Sequence, residues 1–335
     1  MSEAADRTDR MGAAGHATPV NPSELPSWNR RKAMQVGAAV ACGVVTSTAQ
    51  AVTADETQAG GCIDAHVHVW TPDVRAYPLA AAYKPADMRP ASFTPQELMA
   101  HAGPCGVDRV VLIQMSYYQY DNRYMLDVIA KEPLVYRGVA IVDPDDRPAE
   151  RMRELARQGV RGFRIQPGGQ APDRWLDHDA MRAMWKCGAE EGLAMCHLID
   201  ASYLTSVDRM CRHFPRTPVV IDHFARIGID GQIREADLDQ LCRLVEHPQV
   251  TIKVSAFYAL GKKQEPYEDL GPMIERLLRT FGAERLMWAS DCPFQVDPGH
   301  TYRASIDLVR EKLPFLTHED RDWLLRKTAA RVFFS

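Results

Sequence analysis

Eight short, continuously apolar runs recur along this chain, and no other feature limits its fold as tightly. They are Cys62–Trp70, Arg109–Gln114, Val135–Val142, Val160–Ile165, Ala194–Leu198, Pro218–Ile221, Val250–Val254 and Leu286–Ala289. Strands with one wet face alternate apolar and polar residues. These runs do not alternate, so both of their faces are buried, as in a parallel sheet covered by helices. Helical patterns separate them. Thr94-Pro95-Gln96-Glu97 is a capping box with proline at the first helical position. Ala149–Gln158, Asp179–Glu191, Ser202–His213, Leu238–Glu246 and Glu268–Phe281 carry apolar residues at helical spacing, and Thr317–Phe333 reads as a long final helix. Eight strand–helix alternations predict an α/β fold, a single (β/α)8 TIM barrel over residues 61–335. Such a barrel takes roughly 250 residues. A doubly wound open sheet is disfavoured because no glycine-rich phosphate loop follows the first run.

The first 51 residues read differently. A polar stretch leads to Arg30-Arg31-Lys32, then to an uncharged run from Ala33 to Ala49, then to Ala49-Gln50-Ala51. A basic region, an apolar region and a small-residue cleavage site in that order predict an export signal, and the paired arginines predict the twin-arginine route to the periplasm. The alternative is a cytoplasmic protein with a disordered extension. The apolar run is too short and too rich in Gly, Ala and Thr to span a membrane, so no membrane contact is expected once the leader is removed.

The net charge of −4 and the absence of a basic cluster exclude a nucleic-acid partner. The eight cysteines contain no CxxC pair and are evenly spread, which points to inert core thiols rather than a zinc knuckle. Cleavage after Ala51 removes Cys42 and leaves an odd number, which argues against a full disulfide framework.

In a barrel of this kind the chemistry lies at the C-terminal ends of the strands. The first run ends Asp64-Ala65-His66-Val67-His68, and residues two apart on a strand share a side, so His66 and His68 can both address one ion. The fifth run ends in His197, the sixth is followed by Asp222-His223, and the eighth by Ser290-Asp291. Core packing selects apolar residues at such positions, and buried charges cost several kcal/mol unless they are paired or bound to an ion. His66, His68, His197 and Asp291 together suit one divalent ion, zinc by ligand type. A metal-free hydrogen-bonded cluster is the alternative.

The segments IDAHVHVW, VRGFRIQP, CHLID, VVIDHFARIG, TIKVSAFY and RLMWASDCPF, in that order, resemble the strand motifs of the amidohydrolase-related superfamily. The resemblance is to its lactonase branch, whose members open 2-pyrone-4,6-dicarboxylate, sugar lactones and 4-sulfomuconolactone. It implies that His66, His68, His197 and Asp291 form the metal site, that Asp291 takes a proton from the attacking water, and that His223 contacts substrate or assists proton transfer. It also implies one metal at most, since Arg164 stands where two-metal members carry a bridging Lys or Glu, and some lactonases of the branch work without metal. Cys292 and Thr328-Ala329-Ala330 depart from the usual Trp and Asn-Ala-Ala, and neither change removes a ligand position.

The expected reaction is lactone opening by water. Arg164, Arg226 and Lys253 near the strand ends favour an anionic lactone, such as 4-sulfomuconolactone or a carboxylated muconolactone or pyrone, because guanidinium binds carboxylate and sulfonate bidentately. An internal ion pair is the structural alternative for Arg164 and Lys253, and an ordinary surface-loop position is the alternative for Arg226. Tyr117 is expected at the mouth with Tyr118 and Tyr120, as a substrate contact; ordinary loop tyrosines are the alternative. A sugar lactonase and a metal-dependent decarboxylase of the same superfamily are the rival enzymes. A degenerate binding protein is disfavoured because no ligand position is lost. A homodimer is compatible with all of these.

Overall fold

The structure, a computed structural model, describes residues 60–166 and 172–335. The expected leader over residues 1–51, with Cys42, lies outside the described residues. Eight parallel strands form one sheet in sequential order. They are β1 (Cys62–Val67), β2 (Val107–Ile113), β3 (Tyr136–Ala140), β4 (Val160–Ile165), β5 (Ala194–His197), β6 (Val219–Ile221), β7 (Val250–Val254) and β8 (Leu286–Trp288). The sheet closes where β8 returns to β1. Asp291 N–H donates to His66 O at 2.9 Å, and His68 N–H donates to Cys292 O at 2.8 Å. Asp64 locks this seam: it accepts from Ser290 N–H at 2.9 Å and from the Tyr302 hydroxyl at 2.7 Å. The result is the expected (β/α)8 barrel.

The helices are α1 (Pro95–Ala102), α2 (Arg123–Lys131), α3 (Pro148–Ala156), α4 (Asp179–Glu191), α5 (Leu204–His213), α6 (Glu235–Arg243), α7 (Gly271–Phe281), α8 (Tyr302–Asp307), α9 (His318–Asp322) and α10 (Thr328–Phe333). The capping box forms: Glu97 N–H donates to Thr94 Oγ1, and Thr94 N–H donates to the Glu97 carboxylate at 2.6 Å. The final helix is not continuous, since a π-helical stretch, Trp323–Lys327, separates α9 from α10. Among the described residues no helix is long and apolar enough to cross a membrane. All seven described cysteines are free thiols.

Two apolar layers fix which strand residues face inward. Ile63, Ala65, Val111, Val139, Cys196, Val220 and Met287 fill the barrel, with Phe333 of α10 packed among them. Val110, Leu112, Phe163, Met195, Ile252 and Trp288 pack outward against the helices. β1 breaks its alternation. Its register against β2 shifts between Asp64 and Val67, so Ala65 lies in the inner layer while Val67 lies in the outer one. One extra residue in the strand has this effect, a bulge that re-aims side chains beside a site.

Candidate active site

The bulge and the seam together build the site. His66 Nε2 and His68 Nε2 are 3.4 Å apart, and Asp291 Oδ1 is 3.4 Å from the first and 3.6 Å from the second. All three residues are buried. Four tetrahedral ligands at about 2.1 Å from a zinc lie about 3.4 Å from one another, so this triangle has the dimensions of three corners of such a shell. His68 is also in the right tautomer. Its Nδ1 is 3.0 Å from Ile113 O, a carbonyl that can only accept, so the proton sits on Nδ1 and Nε2 presents a lone pair. Burial, and then the Arg164 charge, hold the His68 ring well below its ordinary range. The imidazole is therefore neutral, as ligation requires. Burial pushes Asp291 up to about 7, against the pull of Tyr258 and Arg164. A carboxylate destabilised in this way is one that a bound cation would relieve. The donor set fits one divalent ion.

Asp291 sits at φ 66°, a left-handed backbone that turns its carboxylate from the seam toward the histidines. Its two oxygens have different partners: Oδ1 faces the imidazoles, while Oδ2 accepts from the Tyr258 hydroxyl at 2.7 Å. His223 Nε2 is 3.8 Å from the same Oδ2. The chain after β6 takes four consecutive left-handed residues, His223 to Arg226, with φ between 52° and 57°. Such conformations cost about 1–2 kcal/mol per residue, and strain concentrated at a site is the mark of a side chain held for use. Ser255 Oγ is 2.8 Å from His223 Nδ1. This fully buried hydroxyl has no other acceptor among the described residues. It therefore donates to Nδ1 and leaves His223 with its proton on Nε2, facing Asp291.

The structure does not bring His197 into the triangle. Residues 66, 68 and 291 offer atoms within 4.8 Å of one another, and His197 is not among them. Ala194 and Cys196 take the inward positions of β5. His197 is turned to the helix layer, with Trp175 stacked on it at 5.4 Å and Trp185 of α4 at 5.5 Å. The run Ala-Met-Cys-His is buried on both faces, so its apolar pattern does not reveal which parity points inward. Tyr117 is likewise withdrawn from the mouth. Its hydroxyl donates to Asp87 O at 3.0 Å, and its ring packs on Trp70 and Tyr83. Arg226 is half exposed and paired with Asp200 at 3.2 Å. Lys253 is fully buried against Asp222 and His66, beneath the site rather than facing its opening. Arg164 differs from both of these cations. It lies on the inward face of β4, its Nε has no hydrogen-bond partner, and among the described residues it forms no ion pair. A cavity of about 350 Å³ opens beside it, lined by Tyr120, Ile141, His178 and Met181 among others.

Neither Tyr258 nor Ser255 stands out in the sequence. Both lie just past β7 in the segment TIKVSAFY, and only the closed barrel sets them against Asp291 and His223.

Four buried neutral imidazoles, three at the site and His197 against the helix layer, have a consequence for acid stability. Burial lowers His197 and His223 to about 3, and it holds His66 and His68 well below 6.5. Below pH 6.5 the unfolded chain takes up protons that the folded chain excludes, so stability falls on acidification toward pH 3, by about 1.4 kcal/mol per pH unit for each such histidine. Asp291 opposes this between pH 7 and 4, but it is a single group. Urea unfolding should therefore show the free energy of the cation-free protein dropping by several kcal/mol between pH 6.5 and 4.5. A flat profile would refute the buried neutral histidines.

An amidohydrolase family model matches residues 63–334. The chain is 32% identical over 249 residues to L-fucono-1,5-lactonase of Burkholderia ambifaria, covering 71% of this chain and 82% of that one. It is 28% identical over 246 residues to 2-pyrone-4,6-dicarboxylate hydrolase of Comamonas testosteroni, covering 70% and 77%. A solved structure described as a 2-pyrone-4,6-dicarboxylic acid hydrolase of Pseudomonas putida superposes with a TM-score of 0.69 at 27% identity, covering 82% of this chain and 97% of that one. The family match takes in the whole barrel, from the strand that carries the histidine pair to the helix that packs beneath it, and the chain belongs to the amidohydrolase family.

Proposed function

We propose that this chain is a lactonase that opens an anionic cyclic ester with water, using one divalent ion held by His66, His68 and Asp291, zinc by the nature of its donors. The observation that supports this reading is the pairing of two features: a ligand triangle of 3.4, 3.4 and 3.6 Å, and an inward arginine, Arg164, without a carboxylate partner among the described residues. Relatives named as lactone hydrolases support the reaction class.

A divalent ion bound there supplies the polarisation of the lactone carbonyl and of a water molecule. The remaining work falls to the chain's own residues. Arg164 binds the substrate's carboxylate or sulfonate and orients the ring. Asp291 accepts the proton of the attacking water, and Tyr258 fixes its carboxylate by donating to Oδ2. The water oxygen bonds to the carbonyl carbon, and the ring ester C–O bond breaks. His223, which presents Nε2–H, donates a hydrogen bond toward the oxygen that gains charge, and the proton taken up by Asp291 passes to the departing alkoxide. The product is a hydroxy acid, and one proton is released per ring opened near neutral pH.

A panel of neutral and carboxylated lactones, followed with a pH indicator before and after chelation, tests the reading. Acid release on carboxylated lactones should be lost with chelator and restored by zinc. Proton uptake with carbon dioxide release would point instead to a decarboxylase. Full activity in chelator, with no zinc in the protein, would remove the metal from the mechanism.

A further inference from the structure

At its Nδ1 edge His66 meets two fully buried charged groups, while its Nε2 edge meets His68 and Asp291. Lys253 Nζ is 3.1 Å from Nδ1 and 3.0 Å from Asp222 Oδ1. An ammonium can only donate, so in this arrangement Nδ1 accepts and the ring proton sits on Nε2. An Nε2–H has an acceptor in Asp291 Oδ1 at 3.4 Å, which suits a site without a cation. It excludes Nε2 as a ligand, because a metal needs the lone pair there. Ligation requires the proton to move to Nδ1, and that N–H then needs its own acceptor. Asp222 can supply one. Its Oδ1 is 3.5 Å from His66 Nδ1, and neither of its carboxylate oxygens has an aligned hydrogen bond as the residues stand. Oδ2 has no partner and Oδ1 has only the Lys253 ion pair, so Asp222 gains a hydrogen bond when the proton moves. Lys253 loses its hydrogen bond to the ring, and its positive charge also opposes a second cation nearby.

We propose that Lys253 and Asp222 are opposed positioning residues that set the cation affinity of the site. Lys253 holds His66 in the Nε2–H form and weakens binding. Asp222 receives the Nδ1–H of the ligating form and strengthens binding. The inference rests on reading His66, His68 and Asp291 as the ligand set. Its particular consequence is that removing a buried lysine tightens a site, whereas general loosening of the fold would weaken it.

Zinc affinity, measured by competition against a fluorescent chelator, decides the matter on four full-length proteins: unmutated, Lys253→Met, Asp222→Asn and His68→Ala. Lys253→Met should bind zinc at least tenfold more tightly than the unmutated protein. Asp222→Asn should bind at least tenfold more weakly, and His68→Ala should lose the site. Near-ultraviolet circular dichroism checks that each protein keeps its fold. A folded Lys253→Met with unchanged or weaker affinity would overturn the proposal, as would a folded Asp222→Asn with unchanged affinity. Zinc binding that survives in His68→Ala would overturn the ligand set itself, and the inference with it, which separates the two failures. If a variant does not fold, nitrogen-15 imidazole spectra of the unmutated protein read the same switch. His66, identified by its loss in His66→Gln, should carry its proton on Nε2 without zinc and on Nδ1 with zinc. A proton on Nδ1 before zinc is added would refute the role of Lys253.

Discussion

Asp291→Asn should lower kcat/KM on the preferred lactone by on the order of 10³-fold or more, with no loss of folded stability. The size follows from two losses at one atom set. A positioned general base contributes about 10²–10⁴-fold, and an amide cannot accept the water's proton. The same substitution replaces an anionic ligand by a neutral one, which weakens the hold on a divalent ion. The retained stability follows from the electrostatics. Burial raises Asp291 from its ordinary 3.8 to about 7. For a carboxyl group raised in the folded state, the contribution to stability is present at low pH and is lost as pH rises from about 4 through 7. Above pH 7 the ionised, cation-free side chain therefore costs on the order of 4 kcal/mol, the gap between the two values at about 1.4 kcal/mol per pH unit. Asparagine carries no such cost. The cation-free variant should thus unfold at the same temperature as the unmutated protein at pH 8, or at a higher one. Turnover within tenfold of normal would remove Asp291 from the mechanism. A large drop in the melting temperature at pH 8 would mean that the carboxylate serves the fold instead.

The barrel was readable in the chain because its physics is local and repeated. Each strand is an apolar run and each is followed by a helical pattern, so the strands fall where the runs predict, to within a few residues. The misses have identifiable causes. α2, Arg123–Lys131, buries Met125, Val128 and Ile129, but it follows a loop of tyrosines, and its N-cap, Asn122, makes no side-chain capping hydrogen bond. β1 reads as running to Trp70 because Val67-His68-Val69-Trp70 stays apolar, whereas the strand ends at Val67, where its neighbour changes from β2 to the β8 seam. The site was readable only in part, for a different reason. His66, His68 and Asp291 stand at strand ends, and position alone singles them out. Inward or outward parity is not encoded in a strand buried on both faces. His197 therefore looked equivalent to the others until β5 turned it toward Trp175 and Trp185. Ser255, Tyr258 and Asp222 act through contacts between strands that only closure makes. Their roles depend on register and not on residue type.

Arg164→Met should cost about 2–5 kcal/mol in kcat/KM for carboxylated or sulfonated lactones, the range for losing a buried charge partner, and far less for neutral lactones. The three cations near the site differ in the partners they already have. Arg226 is half exposed and paired with Asp200, so its charge is answered before substrate arrives, and Arg226→Met should change kcat/KM by about fivefold or less, as exposed pairs contribute under about 1 kcal/mol. Lys253 is answered by Asp222 and His66. Arg164 alone of the three has a buried nitrogen without a partner, and a guanidinium cannot shed its charge. It stands on the inward face of β4 beside a cavity of about 350 Å³, close enough for its charge to act on His68, His223 and Asp291. An anion on the substrate would satisfy it at the moment of binding, so the loss should appear as a charge-selective effect. Equal losses on charged and neutral lactones would mean that Arg164 holds the strand ends rather than the substrate. The same outcome would shift the preferred substrate from an anionic lactone to a neutral sugar lactone, since no other cation at this site is free to choose between them.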